Sequence, residues 1–192
     1  IKKDARQDLF AATPPVESLR AICSICASNQ GGPAPYRILA IDVKRAYFFA
    51  KASRAIYIDI PIEDYEKGDE ARVAKLNLSL YGTRDAAQNW AKEYTGTLLK
   101  QGFEQGRASP CNFKHVGKQI SMTVHGDDFT ATGSQKSLIW LENVMKAAYD
   151  IKSTLLGPEE GMQQSIRILN RTLRWEQEGI VYEPDEKQEG VI

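Results

Sequence analysis

Three aspartates at the ends of apolar segments are the residues of this chain best suited to chemistry. Asp42 closes the apolar run 38–41, and Asp127 and Asp128 follow Gly126 between two further apolar runs. The first pattern predicts a strand, and the second predicts two strands joined by a tight turn. Carboxylates held close together repel and raise one another's pKa unless a cation neutralises them. The pattern therefore predicts a divalent-metal site, and Mg²⁺ prefers oxygen ligands of this kind.

Each acid also has an ordinary structural interpretation. Asp42 could cap a short helix over residues 43–50, and a Gly-Asp pair is a common hairpin connection. Adjacent strand residues point to opposite faces, so Asp127 and Asp128 share a site only where the turn twists, which Gly126 permits. If the fold brings all three together, phosphoryl transfer with two metal ions is the leading chemistry.

The composition limits the class of protein. With 192 residues and 42% hydrophobic content, the chain can form one domain, or somewhat more, with a substantial core. Lys and Arg number 25, as do Asp and Glu, which argues mildly against a nucleic-acid binder but leaves room for a local basic groove. No apolar run approaches the roughly 18 residues that span a bilayer. The start lacks an initiator methionine and does not resemble a signal peptide, which indicates a piece of a longer chain.

The cysteines and histidines do not indicate a zinc or redox site. Three cysteines are an odd number, which argues against a disulfide framework and for a reducing compartment. Cys23 and Cys26 form a C-x-x-C at helical spacing without a second pair, so we expect them to be packing residues. His115 and His125 are the only histidines, and no motif pairs them.

Hydrophobic periodicity predicts alternating helices and strands around the acids. Helices are predicted over about 14–30, 43–50, 85–101 and 134–149, and strands over 36–42, 56–60, 73–80, 112–116, 119–124, 166–175 and 180–182. Gly117-Lys118 predicts a two-residue hairpin. Trp90 and Tyr94, one helical turn apart, are expected in the core. Together these features predict an α+β fold with a mostly antiparallel sheet.

Four segments carry a family resemblance. They are Ile41-Asp42-Val43-Lys44-Arg45-Ala46-Tyr47-Phe48, Arg54 to Pro61, Ser79-Leu80-Tyr81-Gly82 with the residues up to Trp90, and Gly126-Asp127-Asp128. In this order they resemble the reverse transcriptase domain of copia-type LTR retrotransposon Pol polyproteins. Residues 10–19 and 168–182 match the family's flanks more loosely, so the resemblance covers nearly the whole chain. It implies a polymerase palm, an antiparallel sheet with helices on one face, with partial fingers and thumb.

The resemblance also implies an organisation and an activity. The palm would span about 36–51 and 79–155, the fingers about 1–35 and 52–78, and the start of the thumb about 156–192. The activity would be RNA-directed DNA polymerisation onto a primer 3′-hydroxyl with two Mg²⁺ ions, or Mn²⁺ in their place. The partners would be an RNA or DNA template with its primer, deoxynucleoside triphosphates, and Pol segments (integrase upstream, RNase H downstream). The location would be intracellular, in cytoplasmic virus-like particles or the nucleus, without a membrane.

Site residues follow from the matched motifs. Asp42, Asp127 and Asp128 would be catalytic, and Val43 would join them as a metal ligand. The residues implied in nucleotide binding are Lys44, Arg45, Ala46, Tyr47, Tyr81, Gly82 and Arg84. Tyr47 would lie beneath the incoming sugar and exclude a 2′-hydroxyl, the group that distinguishes RNA from DNA.

Ordinary interpretations of these residues stay open. Tyr47 could be a core aromatic, Lys44 and Arg45 could simply be solvated, and residues 81–84 could form an ordinary strand-to-helix turn. Backbone N–H groups of residues 43–47 could also contact a triphosphate. The three arginines of the tail, Arg167, Arg171 and Arg174, could follow a primer backbone or form a solvated face.

The chain departs from the family pattern in two places. His125 and Gly126 stand where the family has Tyr and an apolar residue, and a basic fingers strand would precede residue 1. The second departure suggests a truncated or decayed, inactive element as an alternative. A further alternative is a nucleotide cyclase that makes cyclic dinucleotides, because residues 125–129 are similar to its Gly-Gly-Asp-Glu-Phe turn. The pattern around Asp42 does not match that of the cyclases.

Overall fold

The computed structural model describes residues 11–69 and 71–183, which form two compact units. The sheet unit contains residues 12–44 and 97–183, and the small unit contains residues 45–96 with Ala11. One boundary therefore falls directly after the segment that carries Asp42. A second boundary follows Ala11, and a third falls within helix α2, Ala86–Lys100. The division into palm, fingers and thumb implied by the resemblance stays a prediction.

The main sheet of the sheet unit carries the three candidate acids. Asp42 and Asp128 lie in its strands, and Asp127 lies in the turn between two of them. The strands of this sheet are β1 Tyr36–Val43, β4 Glu104–Gln105, β5 Asn112–His115, β6 Ile120–His125, β7 Asp128–Ser134 and β8 Ile151–Leu156. Within the described residues they lie in the order β4-β5-β6-β7-β1-β8, and neighbouring strands pair antiparallel. Strands β1 and β7 lie inside the sheet and are buried along most of their length, because both faces of the sheet are covered there.

A helix and a second sheet cover one end of the acid-bearing face. The helix is α1, Val16–Ser28, and the sheet consists of β9 Ser165–Ile168, β10 Arg171–Glu176 and β11 Gly179–Glu183. Their shared core consists of Leu19, Ile22, Cys23, Cys26, Ile38, Leu156, Ile166, Ile168 and Leu173. Ile38 lies two pairs of residues from Asp42 on the same face of β1, so this core fixes the strand but leaves its acidic end uncovered.

The opposite face of the main sheet is covered by helix α3, Gln135–Ala148. The Ser134 hydroxyl accepts a hydrogen bond from the Ser137 N–H at 3.3 Å, which caps the helix start. Ser153 pairs with Ile41 across β8 and β1, and its hydroxyl donates to Glu142 of α3 at 2.6 Å. Leu138, Leu141 and Met145 of α3 are fully buried. The two helices of the sheet unit, α1 and α3, therefore lie on different faces.

The small unit contains a two-stranded ribbon and several turns. The ribbon pairs β2, Tyr57–Asp59, with β3, Val73–Lys75, and short 3₁₀ turns span Ala46–Phe49 and Ile62–Asp64. In α2, Trp90 and Tyr94 are buried and pack edge to face with ring centroids 5.4 Å apart. Their predicted place in the core is confirmed.

The α+β class and the antiparallel sheet are confirmed, with local corrections. The connection between β5 and β6 has four residues because His115 pairs with Ile120, and Gln119 adopts the left-handed conformation with φ 53°. A two-residue hairpin at Gly117-Lys118 was therefore wrong. The strand predicted over 73–80 ends at Lys75, and the helix predicted over 43–50 is only the 3₁₀ turn. Among the described residues, no helix is long and apolar enough to cross a membrane.

Candidate active site

Strand pairing brings two of the three aspartates face to face. Asp42 near the end of β1 is the direct partner of Asp128 at the start of β7. In a strand pair, directly opposed residues project from the same face, so both carboxylates belong to one surface. Asp127 is tied to the same place because its carbonyl accepts a hydrogen bond from the Val43 N–H at 3.1 Å. Gly126, with φ 65°, provides the left-handed position that this tight turn requires.

The electrostatics of Asp128 reflect its neighbours. Burial raises the pKa of the Asp128 carboxyl, and the negative charges of Asp127 and Asp42 raise it further. His125, directly opposite Asp128 on β6, lowers the pKa of the Asp128 carboxyl. The three aspartates therefore form an electronegative end of the sheet around Asp128. Such a site favours a cation or a proton.

The metal site itself stays a prediction. Within the part of the chain that the structure describes, no three His, Cys, Asp or Glu side chains are gathered closely enough to form a metal cage. Asp42 is exposed, and Asp127 and Asp128 are half-buried, so the carboxylates face solvent at least in part. The donor set nevertheless fits a hard cation, since every candidate ligand, including the Val43 carbonyl, is an oxygen.

Lys152 is a residue of this surface that sequence reasoning missed. It is the direct partner of Asp42 on β8, and its side chain is exposed. Its side chain therefore projects from the same face of the sheet as that of Asp42. Sequence alone could have found Lys152 only through β8, and this strand has no strict alternation of apolar and polar residues.

A polar groove runs from Lys152 toward the second sheet. Its lining residues are Ala40, Lys152, Ser153, Thr154, Leu155, Gly161, Gln163, Ser165, Ile166 and Arg167. Two cations and several hydroxyl or amide groups thus line one groove beside the acids. On the other side of the acids lies a more apolar cavity, lined by Pro14, Pro15, Val16, Leu19, Thr123, His125, Asp128, Thr130, Leu169, Arg171 and Tyr182.

The basic residue that follows Val43 already has partners. The Lys44 N–H donates to the Asp150 carbonyl at 2.9 Å, and its ammonium forms an ion pair with the Asp150 carboxylate at 3.2 Å. Both side chains are about half exposed, so the ion pair is weak and can exchange for another anion. The N–H groups of Val43 and Lys44 could contact a triphosphate only after their present hydrogen bonds break.

The other predicted nucleotide-binding residues lie in the small unit. These are Arg45, Ala46, Tyr47, Tyr81, Gly82 and Arg84. Tyr47 and Tyr81 stack with ring centroids 4.4 Å apart at 30° between the planes. Gly82, with φ 90°, makes the turn after Tyr81. Ala46 is fully buried, so its side chain is a packing group and only its backbone could meet a nucleotide.

The structure therefore brings together some of the predicted residues. Asp42 and Asp128 oppose each other, Asp127 is bonded to Val43, and Tyr47 stacks on Tyr81. The placement of the nucleotide-binding residues relative to the acids stays a prediction. Cys23 and Cys26 are buried packing residues, as expected, and burial raises the pKa of both thiols to about 11.

Comparison with known proteins gives a matching family model and relatives among transposon Pol polyproteins. The family model described as "Reverse transcriptase (RNA-dependent DNA polymerase)" matches residues 3–159. The Retrovirus-related Pol polyprotein from transposon TNT 1-94 of Nicotiana tabacum is 28% identical over 172 residues, 87% of this chain and 12% of the relative. The Transposon Ty1-BL Gag-Pol polyprotein of Saccharomyces cerevisiae is 29% identical over 130 residues, 65% of this chain and 7% of the relative.

A solved structure of telomerase from Candida albicans, in complex with a fragment of telomeric RNA, covers 95% of this chain and 37% of its own. The TM-score is 0.43 and the identity 10%. The chain spans only about 12% of the tobacco relative and 7% of the yeast relative. The family match extends over both units and includes all three aspartates, which confirms the resemblance to retrotransposon Pol polyproteins. The chain belongs to the reverse transcriptase (RNA-dependent DNA polymerase) family.

Proposed function

We propose that this chain is the polymerase core of a copia-like Pol polyprotein and extends a primer by template-directed transfer of deoxynucleotides. The observation that carries the proposal is the opposition of Asp42 and Asp128 across β1 and β7, with Asp127 bonded to Val43 beside them. In a chain of this family, this arrangement has the ligand chemistry of a two-metal nucleotidyl transfer site. Mn²⁺ could replace Mg²⁺ because both accept carboxylate oxygens.

The acids would hold the metal ions, and the surrounding residues would hold the substrates. Asp42 and Asp127, with the carbonyl of Val43, would be the principal ligands, and Asp128 would support them. When bound, the ions would make the primer 3′-hydroxyl more acidic and offset the charge of the triphosphate. The raised pKa of Asp128 supports the fit, because burial and the charges of Asp127 and Asp42 raise it, and a bound cation would offset those charges.

The chain's own residues would position the primer and the triphosphate. The groove that contains Lys152 and Arg167 would take the phosphate backbone of the primer, since cations and hydroxyl groups are its ordinary partners. Lys44 and Arg45 would meet the triphosphate, and Tyr47 would lie against the deoxyribose. His125 occupies the position before the acids where the family has Tyr, and its imidazole lies opposite Asp128.

The partners and the location follow from the same proposal. A template with its primer, deoxynucleoside triphosphates and the flanking integrase and RNase H segments would complete the system. Its place would be intracellular, in virus-like particles or in the nucleus. The alternatives of a decayed element and a cyclase are not favoured, because the three acids are present and the family match is to reverse transcriptases.

Primer extension tests the proposal. The 192-residue chain and a version extended at its N-terminus are incubated with an RNA template, a DNA primer, deoxynucleotides and Mg²⁺. A parallel reaction contains only GTP and Mg²⁺. We expect template-directed extension in the first reaction and no product in the second. A cyclic dinucleotide in the second would support the cyclase, and no product from either version would refute the polymerase.

A further inference from the structure

We propose that Tyr81 and Asp85 are positioning residues for sugar selection, because together they hold the ring of Tyr47 in place. This inference rests on the proposed polymerase function. Tyr81 acts through direct ring contact with Tyr47. Asp85 acts one step further away, by fixing both the turn that carries Tyr81 and the start of α2. We call residues 79–85 the Tyr81 turn.

The rings of Tyr81 and Tyr47 are in direct contact. Tyr81 stacks on Tyr47 at 4.4 Å, and Phe48 meets the same Tyr81 ring edge to face at 5.7 Å. One face of the Tyr47 ring is therefore covered by an aromatic partner, and the ring keeps this contact only while it does not rotate. Such pairs contribute beyond the area that they bury. Tyr81 itself remains 46% exposed, so its position depends on these ring contacts and on the geometry of its own turn.

The first end of the Tyr81 turn is fixed by backbone and side-chain hydrogen bonds. The Ser79 N–H donates to the Ala50 carbonyl at 2.8 Å, and the Ser79 hydroxyl accepts from the Asn89 amide at 3.1 Å. The Thr83 N–H then donates to the Leu80 carbonyl at 3.1 Å, which closes the turn around Tyr81. Ala50 directly follows the 3₁₀ turn that carries Tyr47 and Phe48. The same local structure thus supports both rings.

The second end of the turn is fixed by a buried charge. The Asp85 carboxylate accepts from the Ser53 hydroxyl at 2.7 Å, from Arg54 at 2.9 Å and from the Asn89 amide at 3.3 Å. Only 3% of the Asp85 side chain is exposed, whereas Arg54 is 41% exposed. A buried carboxylate without these donors would be strongly destabilising. The turn therefore keeps the one geometry in which all three donors reach Asp85.

Asn89 connects the two ends. Its amide donates both to Ser79 at the first end and to Asp85 at the second. Residues 53 and 54 belong to the segment that follows the 3₁₀ turn carrying Tyr47, Ala46–Phe49, so the hydrogen bonds of Asp85 join that segment to the start of α2. Loosening either end would let Tyr81 move away from Tyr47. The Tyr47 ring would then move aside more easily, and the site would accept a ribonucleotide with its 2′-hydroxyl more readily.

A double-mutant cycle tests the inference in the N-terminally extended protein with a primed template. The variants are Tyr81→Ala, Tyr47→Ala, the double variant, Tyr81→Phe and Asp85→Asn, and the readout is the ratio of kcat/KM for deoxy- and ribonucleotides. We expect Tyr81→Ala to lower this ratio by about 2- to 12-fold, the worth of one aromatic pair at tenfold per 1.4 kcal/mol. Asp85→Asn is expected to lower it in the same direction. Tyr81→Phe keeps the ring and should keep the ratio.

The cycle contains the decisive comparison. If Tyr81 acts through Tyr47, then Tyr81→Ala changes the ratio by less than about twofold once Tyr47 is already alanine. Arg72→Gln is the matched control, because it removes an ion pair with Asp69 in the same unit whose arginine side chain is 71% exposed, and it should leave the ratio unchanged. Incorporation with an unchanged ratio in Tyr81→Ala, or additive effects in the double variant, would overturn this inference alone. No incorporation by the unmutated protein would overturn the proposed function with it.

Discussion

The Asp85→Asn substitution should destabilise the protein at neutral pH. An asparagine amide is nearly the size of the carboxylate, so packing is preserved and only charge and hydrogen bonding change. The new amide group would place a donor among the Ser53, Arg54 and Asn89 donors that now surround Asp85. At least one of them would lose its acceptor in a site where the Asp85 side chain is only 3% exposed. This substitution therefore measures the electrostatic part of the contact.

The expected loss in the free energy of unfolding of Asp85→Asn lies between two limits. Breaking a fully buried ion pair costs about 3–5 kcal/mol, and losing one hydrogen bond to a charged group costs about 1.5–3 kcal/mol. Arg54 is 41% exposed and can be rehydrated, which places the effect nearer the lower limit. We expect a loss of about 2–3 kcal/mol in the free energy of unfolding. For a chain of this size, the melting temperature would fall by about 4–12 °C.

The stability difference between the unmutated protein and Asp85→Asn should depend on pH, in a direction that the pKa of Asp85 determines. Hydrogen bonds from Arg54, and then from Ser53 and Asn89, hold the pKa of Asp85 below its usual range despite burial. A depressed pKa contributes stability that is present above the unfolded value of about 3.9 and is lost as the pH falls toward the folded value. The difference between the unmutated protein and Asp85→Asn should therefore shrink by about 1 kcal/mol between pH 4 and pH 3.

Urea unfolding at pH 7, 4 and 3 measures this difference. Glu176→Gln is the control, because Glu176 and its partner Arg174 are each about half exposed. It should change the free energy of unfolding by less than about 0.5 kcal/mol. A difference for Asp85→Asn below about 0.5 kcal/mol at pH 7, or one that grows on acidification, would refute the reasoning.

Three further predictions concern other parts of the molecule. Mg²⁺ or Mn²⁺ should raise the melting temperature by linkage, and Asp127→Asn should remove most of that gain; equal gains would place the metal elsewhere. The thiols of Cys23 and Cys26, with pKa values raised to about 11, should resist alkylation at pH 8 until the protein unfolds, as mass spectrometry would show. Leu138→Ala, at a fully buried position in α3, should cost about 2–5 kcal/mol in urea unfolding, and a cost below 1 kcal/mol would contradict the described core.

Much of the site could be predicted from sequence because its signals are local. The apolar run before Asp42 and the Gly126 turn each mark a strand end within a few residues. The direct pairing of Asp42 with Asp128 additionally requires that β1 and β7 be neighbours in this register, which the sequence does not show. Hydrophobic periodicity likewise predicted α1, α2 and α3 within a few residues of their ends. In each of these elements one face is buried along most of its length, which is what makes the period visible.

The features that sequence reasoning missed depend on distant contacts. The β8 strand begins soon after α3 and is held by its pairing with β1, and Lys152 reaches Asp42 only through that pairing. Arg54 and Asp85 are also far apart in sequence, and no local pattern pairs their charges. The β5–β6 connection was predicted too short because Gln119, without glycine's freedom, takes the left-handed conformation there.

Single-turnover incorporation of one deoxynucleotide tests the central claim most directly. The N-terminally extended protein, Asp42→Asn, Asp127→Asn and the control Glu176→Gln are each mixed with a primed RNA template and Mg²⁺, and the rate of primer extension is measured. We expect the unmutated protein and Glu176→Gln to extend the primer at similar rates, and each Asp→Asn variant to be at least about 100-fold slower, a loss of about 2.7 kcal/mol. Extension by Asp42→Asn and Asp127→Asn at the rate of the unmutated protein would contradict the assignment of this site.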